Sequence, residues 1–307
     1  MNDNKQFLDT YKKYINKGWY SESISTARLD NWTSNFPNNN INGFNPILCA
    51  KFLLDSLIYY QEKHTRAIIT SIESKILSSF NQRLHLIKGR RIEEDELKRL
   101  WISYKDQCLF IAAADSGLTG DSAHQISRLW RNTTTMSVVG IERIEDEISN
   151  NGKRHIFFVD DFIGTGSKMI KFLSEPLYLK IAGEDSISKF IDSHPMCDFN
   201  IAVIAIHQAG LKKISSAFPN LELFYGDYYD SEYDLISDEC ILYDLFGEDK
   251  NSIISYLSTK QNELDYNNPY SLNLPIAFQH GCPNNSLSLY HSEESNWKKL
   301  LDKSNPR

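Results

Sequence analysis

Two adjacent aspartates and the turn that follows them are the residues whose types and spacing could do chemistry. Asp160 and Asp161 come directly after an apolar run at residues 156–159. Small, hydroxyl-bearing and basic residues follow: Gly164, Thr165, Gly166, Ser167 and Lys168. Carboxylates accept hydrogen bonds from sugar hydroxyls or bind a hydrated divalent cation, and consecutive N–H groups at a helix start bind phosphate. The pattern predicts a site that binds a phosphate and a polyol side by side.

The segments around this site predict an α/β core. Continuous apolar runs, typical of strands covered on both faces, occur at residues 109–114, 156–159, 201–206 and 221–225. Helical patterns alternate with them at residues 121–130, 141–149, 167–173 and 211–218. This alternation predicts crossover connections and a mainly parallel sheet. Asp160 and Asp161 would then lie at the carboxyl end of a central strand, where open α/β sheets bind ligands.

Changes in the residue pattern along the chain predict three segments. Residues 1–100, which show no obvious strand–turn pattern, are expected to form a helical N-terminal layer, and residues 101–235 to form the α/β core. Residues 236–307 form a C-terminal extension in which turn-rich stretches surround one possible strand at residues 274–278.

Composition limits the function classes. The 307 residues are 41% hydrophobic and 24% charged, as in globular proteins and unlike disordered or coiled-coil chains. The formal charge of −7 excludes a whole-molecule positive field, so nucleic acid could bind only through a partner or a local patch. Five well-separated cysteines and the lack of a long apolar run predict a cytoplasmic protein with reduced thiols and no membrane partner.

Residues 156–168 resemble the signature of the type I phosphoribosyltransferases: four apolar residues, two acidic ones, two apolar ones, then a loop rich in Thr and Gly. The resemblance implies a transferase with a parallel phosphoribosyltransferase-type core and phosphoribosyl pyrophosphate as ligand. Asp160 and Asp161 would be the catalytic residues that bind the ribose hydroxyls and, through these or water, magnesium. Residues 164–168 would bind the 5-phosphate. A nitrogen nucleophile would displace the magnesium-bound pyrophosphate.

The family also has a pyrophosphate loop after its first core strand, and Asp115, Ser116 and Gly117 occupy that place here. Small residues after a buried strand allow close backbone approach to an anion. The alternative is an ordinary strand-to-helix turn with an N-cap at Asp121 or Ser122.

Two departures from the family pattern keep other functions open. Gly164 stands where several purine-specific members have an acidic residue, and the candidate mobile loop at residues 132–140 has no Lys or Arg. A non-catalytic module that senses a phosphoribose or nucleotide is therefore the alternative to an enzyme. A purely structural subunit, with the acidic pair as a turn device, would bind no such ligand.

With its added segments on both sides of the core, the chain resembles a subgroup of phosphoribosyltransferase-like proteins that have an N-terminal helical region and a C-terminal extension. Residues around Trp32 and residues 277–286 carry this second resemblance. The subgroup occurs in bacterial conflict and antiphage gene clusters. The resemblance implies a defence effector that works with protein partners.

Overall fold

The computed structural model of the chain describes residues 3–16, 24–41, 43–89, 92–113, 122–134, 136–175, 184–245, 249–265 and 271–303. Helices α1 to α11 are Asp3–Asn16, Thr26–Thr33, Ile47–Ser56, Glu62–Lys88, Glu94–Gln107, Ser122–Thr133, Ile144–Ser149, Ser167–Ser174, Ile187–Ser193, Gln208–Ala217 and Lys250–Leu264. Strands β1 to β7 are Ile58–Tyr60, Cys108–Ala112, Ser137–Val139, His155–Ile163, Asp198–His207, Glu222–Tyr229 and Ile276–Phe278.

The chain forms two compact units, which we call the sheet unit (residues 63–228) and the terminal unit (residues 1–62 and 229–307). These boundaries differ from the predicted segments 1–100, 101–235 and 236–307, because α4 and α5 pack within the sheet unit. Ile72 and Ile76 of α4 are buried, and the Tyr104 ring of α5 lies 4.3 Å from the His155 ring of β4. The three-segment division stays a prediction.

A five-stranded sheet with the order β3-β2-β4-β5-β6 forms the centre of the sheet unit. β2 runs parallel to β3 and to β4, and β4 runs parallel to β5. The register pairs Phe110 with Phe157, and Asp160 with Val203. Parallel neighbours bring the carboxyl ends of β4 and β5 to the same edge of the sheet.

Both faces of this sheet are covered, which explains the continuous apolar runs. One face packs a buried cluster that includes Ile156 and Phe158 of β4 against α8, α9 and α10. On the other face, the Phe110 ring stacks on Phe157 at 4.8 Å and on Trp130 of α6 at 4.9 Å. The predicted fold class, a parallel α/β sheet with an N-terminal helical region, is confirmed.

The terminal unit has its own core of helices and short strands. Trp32 Nε1 of α2 donates a hydrogen bond to the Leu289 carbonyl at 2.8 Å, and the Tyr290 hydroxyl donates to the Leu53 carbonyl at 2.7 Å. β1 pairs in parallel with β7, so residues 1–100 contain a strand that the sequence pattern did not reveal. A three-residue strand whose partner is distant in sequence leaves too short a pattern to detect. In the described ranges, no helix has the length and apolarity that a membrane span needs.

Two short elements of the sheet unit were also not predicted. β3 lies within residues 132–140, so this candidate mobile loop is in part a strand paired with β2. α9 has only seven residues, Ile187–Ser193, and its N-cap Ser186 accepts a hydrogen bond from the Lys189 N–H. Both elements are shorter than the windows in which periodicity is informative.

Candidate functional site

The two aspartates lie inside β4, which extends beyond the predicted apolar run at residues 156–159 as far as Ile163. β2 pairs with β4 as far as Ala112 and Val159, whereas the β4–β5 ladder continues to Ile163 and Ile206. Among the described residues, β4 therefore pairs only with β5 beyond Val159. Asp160 and Asp161 lie in this part of the strand, at the carboxyl end of the sheet.

Both carboxylates are buried and accept backbone hydrogen bonds from the next residue. Asp160 is 1% exposed and Asp161 is 5% exposed. Asp160 Oδ1 accepts from the Asp161 N–H at 3.0 Å, and Asp161 Oδ1 accepts from the Phe162 N–H at 2.8 Å. These bonds fix the orientation of both side chains, because each ties one carboxylate oxygen to the backbone. Holding two adjacent acids out of water is costly, which favours a ligand-binding role for them.

Lys168 contacts one of the two aspartates, Asp160. Its Nζ lies 3.2 Å from Asp160 Oδ2 and donates a hydrogen bond to Asp160 Oδ1 at 3.4 Å. The sequence predicted Lys168 among the phosphate-binding residues. In this structure its ammonium compensates the buried charge of Asp160, and its role toward a phosphate stays a prediction.

The turn between β4 and α8 has the features of an anion cradle. Gly166 has a φ of +78°, in the left-handed region, and directly precedes the first residue of α8. The first N–H groups of a helix lack intrahelical partners and carry a partial positive charge. Thr165 Oγ1 donates to Ser167 Oγ at 3.3 Å, which places two hydroxyls side by side at this helix start. The predicted residues Gly164, Thr165, Gly166 and Ser167 therefore lie together.

Helix α10 packs on this turn, and the sequence did not predict its contribution. A Cβ on Gly210 would overlap the Gly164 carbonyl oxygen and would lie 2.6 Å from Ile163 Cγ2. Lys213 Nζ donates a hydrogen bond to Ser167 Oγ at 2.9 Å. The only available signal was a glycine beside a predicted helix, where it lowers helix propensity and often has a packing reason.

His207 joins β5 to α10 at the same edge of the sheet. It is 8% exposed, and its Nδ1 accepts a hydrogen bond from the Ala209 N–H at 3.1 Å. The imidazole thus caps α10. This contact fixes the start of the helix that carries Gly210 and Lys213.

The described residues could bind Mg²⁺ if a ligand supplied part of its coordination. Within the described ranges, no cluster of three or more His, Cys, Asp or Glu side chains could hold a metal ion. Mg²⁺ commonly binds through one or two carboxylates together with substrate phosphates and water. Asp160 and Asp161 could supply those carboxylates.

Asp115, Ser116 and Gly117, the predicted pyrophosphate loop, lie outside the described residues, as does Asp121. Helix α6 begins at Ser122. Both the pyrophosphate loop and the alternative N-cap turn therefore stay predictions.

Comparison with known families decides the classification. A family model described as PRTase-CE matches residues 29–303. The chain belongs to the PRTase-CE family. The match includes most of both compact units, so the terminal unit of this PRTase-CE protein is part of the family's pattern. The resemblance to phosphoribosyltransferases, predicted from residues 156–168, is confirmed. No curated protein matches the sequence.

Solved structures similar to part of this PRTase-CE chain include two phosphoribosyltransferases. Orotate phosphoribosyltransferase from Aeropyrum pernix is 11% identical, with 45% of this chain and 78% of that chain covered and a TM-score of 0.25. Helicobacter pylori xanthine-guanine-hypoxanthine phosphoribosyltransferase is 12% identical, with 56% and 83% covered and a TM-score of 0.25.

Proposed function

We propose that this PRTase-CE protein binds phosphoribosyl pyrophosphate with Mg²⁺ at the carboxyl end of β4 and transfers the ribosyl phosphate to a nitrogen acceptor. One observation carries the proposal: β4, its turn and α8 present two buried carboxylates beside a glycine-lined helix start. A polyol and a phosphate are the two groups that this arrangement would bind. Membership of the PRTase-CE family supports the phosphoribosyl ligand.

The residues take distinct roles in the proposed reaction. Asp160 and Asp161 accept hydrogen bonds from the ribose hydroxyls, while residues 164–167 bind the 5-phosphate. The bond between the anomeric carbon and pyrophosphate breaks, pyrophosphate leaves with the electron pair, and the acceptor nitrogen bonds to that carbon and loses its proton to solvent. The buried carboxylates favour the positive charge that develops on the sugar. Bound Mg²⁺, held by Asp160, Asp161 and the ligand, would neutralise the leaving group.

A non-catalytic sensor of phosphoribose or nucleotides, which would regulate partner proteins, is the second candidate. Gly164 provides no acidic side chain at the turn, and Lys168 already neutralises part of the charge on Asp160. A ligand could then bind without reacting. Release of pyrophosphate distinguishes the two functions.

We also propose that the protein acts in the cytoplasm as an antiphage defence effector with protein partners, as the second sequence resemblance implies. All five cysteines are free, and burial raises the pKa of the Cys108 thiol to about 12. Such a thiol stays protonated and unreactive at neutral pH. These properties are compatible with a reducing compartment.

The test is thermal stabilisation by phosphoribosyl pyrophosphate with Mg²⁺. A ligand at about 100 times its Kd stabilises the folded state by about 2.7 kcal/mol. We expect the double variant Asp160→Asn with Asp161→Asn to lose this stabilisation while the melting temperature without ligand stays within a few degrees, since neutral amides relieve the repulsion between two buried charges. Asp192→Asn, an exposed aspartate of α9, is the charge control and should retain the full shift.

Pyrophosphate release is then measured across a panel of purine, pyrimidine and pyridine bases. Release with one acceptor supports the transferase, and binding without release on the whole panel supports the sensor. A wild-type protein that neither phosphoribosyl pyrophosphate nor a nucleotide stabilises at any Mg²⁺ concentration would contradict both functions and support the structural subunit.

A further inference from the structure

Helix α10 contacts the turn at residues 164–167, which we call the phosphate turn, through one face. Gly210, Lys213 and Ile214 are spaced so that they lie on the same side of a helix. A Cβ on Gly166 would lie 3.1 Å from Gly210 Cα and 3.5 Å from Ile214 Cγ1. The backbones of the turn and of α10 are therefore in direct contact. This contact fixes the position of Lys213 relative to the turn.

The hydrogen bonds at Ser167 orient its hydroxyl group. Ser167 Oγ accepts one bond from Lys213 Nζ at 2.9 Å and one from Thr165 Oγ1 at 3.3 Å. A serine hydroxyl has two acceptor lone pairs and one proton to donate. Both lone pairs are used here, so the proton is the group that Ser167 can offer to a ligand. A hydroxyl arranged in this way selects an acceptor such as a phosphate oxygen.

The two lysines at the site face different groups. Lys168 Nζ contacts the Asp160 carboxylate, and Lys213 Nζ contacts the neutral hydroxyl of Ser167. The charge of Lys168 is therefore already balanced in part by a buried anion. The Lys213 side chain is exposed, and its ammonium contacts the turn at Ser167. An anion bound at the helix start would be within reach of its ammonium.

We propose that Lys213 is part of the phosphate site and selects a terminal phosphate monoester, the ligand class to which a sugar 5-phosphate belongs. This inference rests on the proposed function and assigns to α10 a residue that the sequence motif does not contain. Helix N–H groups and hydroxyls bind any phosphate, whereas a full positive charge favours the dianionic monoester over the monoanionic diester. Gly210 makes this contact possible, because the lack of a side chain there lets α10 approach the turn closely enough for Lys213 to reach Ser167.

The test compares two neighbouring lysines of one helix. Lys213→Ala removes the ammonium at Ser167, and Lys212→Ala removes an equal charge one residue away. Affinities for inorganic phosphate, ribose 5-phosphate and phosphoribosyl pyrophosphate with Mg²⁺ are measured by calorimetry. Loss of a charge-assisted hydrogen bond predicts about tenfold to a hundredfold weaker binding of each ligand to Lys213→Ala. Lys212→Ala should stay within about twofold, since exposed charges act weakly on a distant ligand.

Two further variants separate charge from packing. Lys213→Arg keeps the positive charge and should recover most of the lost affinity, while Lys213→Met keeps the apolar stem and should bind as weakly as Lys213→Ala. The salt dependence of phosphate binding should also become shallower in Lys213→Ala and Lys213→Met. Equal affinities for Lys213→Ala and Lys212→Ala would overturn the assignment.

The three ligands distinguish this inference from the proposed function. If wild type binds phosphoribosyl pyrophosphate and Lys213→Ala binds it equally well, the role of Lys213 is wrong and the proposed function stands. If wild type binds inorganic phosphate in a Lys213-dependent way but not phosphoribosyl pyrophosphate, the proposed function is wrong and the phosphate site stands. If wild type binds none of the three ligands, both are wrong.

Discussion

The two ends of the central sheet carry acidic residues in opposite environments. At the amino ends of β4 and β5, the His155 ring donates a hydrogen bond to Asp198 at 3.0 Å, and Arg83 lies 3.7 Å from the same carboxylate. The Asp198 side chain is 53% exposed there. At the carboxyl ends, the Asp160 side chain is 2% exposed and pairs with Lys168 at 3.2 Å.

The difference in exposure distinguishes the surface ion pair at Asp198 from the candidate site at Asp160. Water solvates Asp198, so its pairing adds little to stability and needs no functional explanation. Asp160 is removed from water beside a second buried acid, an arrangement that stability alone does not favour. This pair of adjacent buried acids lies at the end of the sheet where the glycine turn lies. Burial of two adjacent acids, more than the presence of acids, distinguishes the end of the sheet that carries the candidate site.

Backbone packing is also tighter at the carboxyl end of the sheet than at the amino end. Gly152, before β4, has a φ of +67° with open space around it, so a side chain there would meet only conformational strain. Gly210, at the carboxyl end, is instead crowded by the Gly164 carbonyl and Ile163. Glycine serves a turn at one end and a close contact between backbones at the other.

The largest effect is expected from Gly210→Ala. The added methyl group would push α10 away from the turn, and such overpacking costs about 1 to 3 kcal/mol of unfolding free energy. Because the phosphate turn itself must move, stabilisation by phosphoribosyl pyrophosphate with Mg²⁺ should also be lost. Urea unfolding gives the first quantity, and the shift in melting temperature on adding ligand gives the second.

Gly226→Ala in β6 is the matched control for this effect. Its Cβ would overlap the Ile68 side chain and lie 2.5 Å from the Ile204 carbonyl oxygen, away from the turn. We expect a similar loss of stability with the ligand shift retained. The same loss of ligand response in both variants would show that the Gly210 contact has no special relation to the site.

The sequence predicted the strand–turn–helix at Asp160 and Ser167 almost completely, because its signal is local: a buried run, two acids, glycines and a helix. The contacts of Gly210 and Lys213 could not be predicted in the same way. They depend on how the crossover from β5 brings α10 back onto the turn, and no periodicity within α10 specifies that. The extent of β4 beyond Val159 was missed for a related reason, since pairing with β5 maintains the strand through the acidic residues.

A smaller effect should follow from removing the cation at the carboxyl end. Lys168→Met leaves the buried Asp160 carboxylate without this partner. Removing one partner of a fully buried ion pair lowers the free energy of unfolding by about 3 to 5 kcal/mol. Lys168 is half-exposed, so we expect about 1 to 2 kcal/mol, measured by urea unfolding at neutral pH. Lys171→Met, whose partner Glu175 is exposed, should cost less than about 0.5 kcal/mol. Equal costs for both variants would remove the energetic distinction between buried and exposed pairs.

The smallest effect is expected at the amino end, from Asp198→Asn. The hydrogen bond from His155 lowers the pKa of the Asp198 carboxyl below its ordinary value, with Arg83 acting in the same direction. A lowered acidic pKa stabilises the folded state above the unfolded-state value, near pH 4, and this contribution is lost as the pH falls through the lowered pKa. Because solvent screens the pair, the difference between wild type and Asp198→Asn should stay below about 1 kcal/mol at pH 6 and disappear as the pH falls through the lowered pKa. Urea unfolding over a series of pH values from 6 downwards measures it, and the ligand shift should be unchanged. A loss of ligand binding in Asp198→Asn would mean that the two ends of the sheet are coupled, and burial alone would then no longer identify the site.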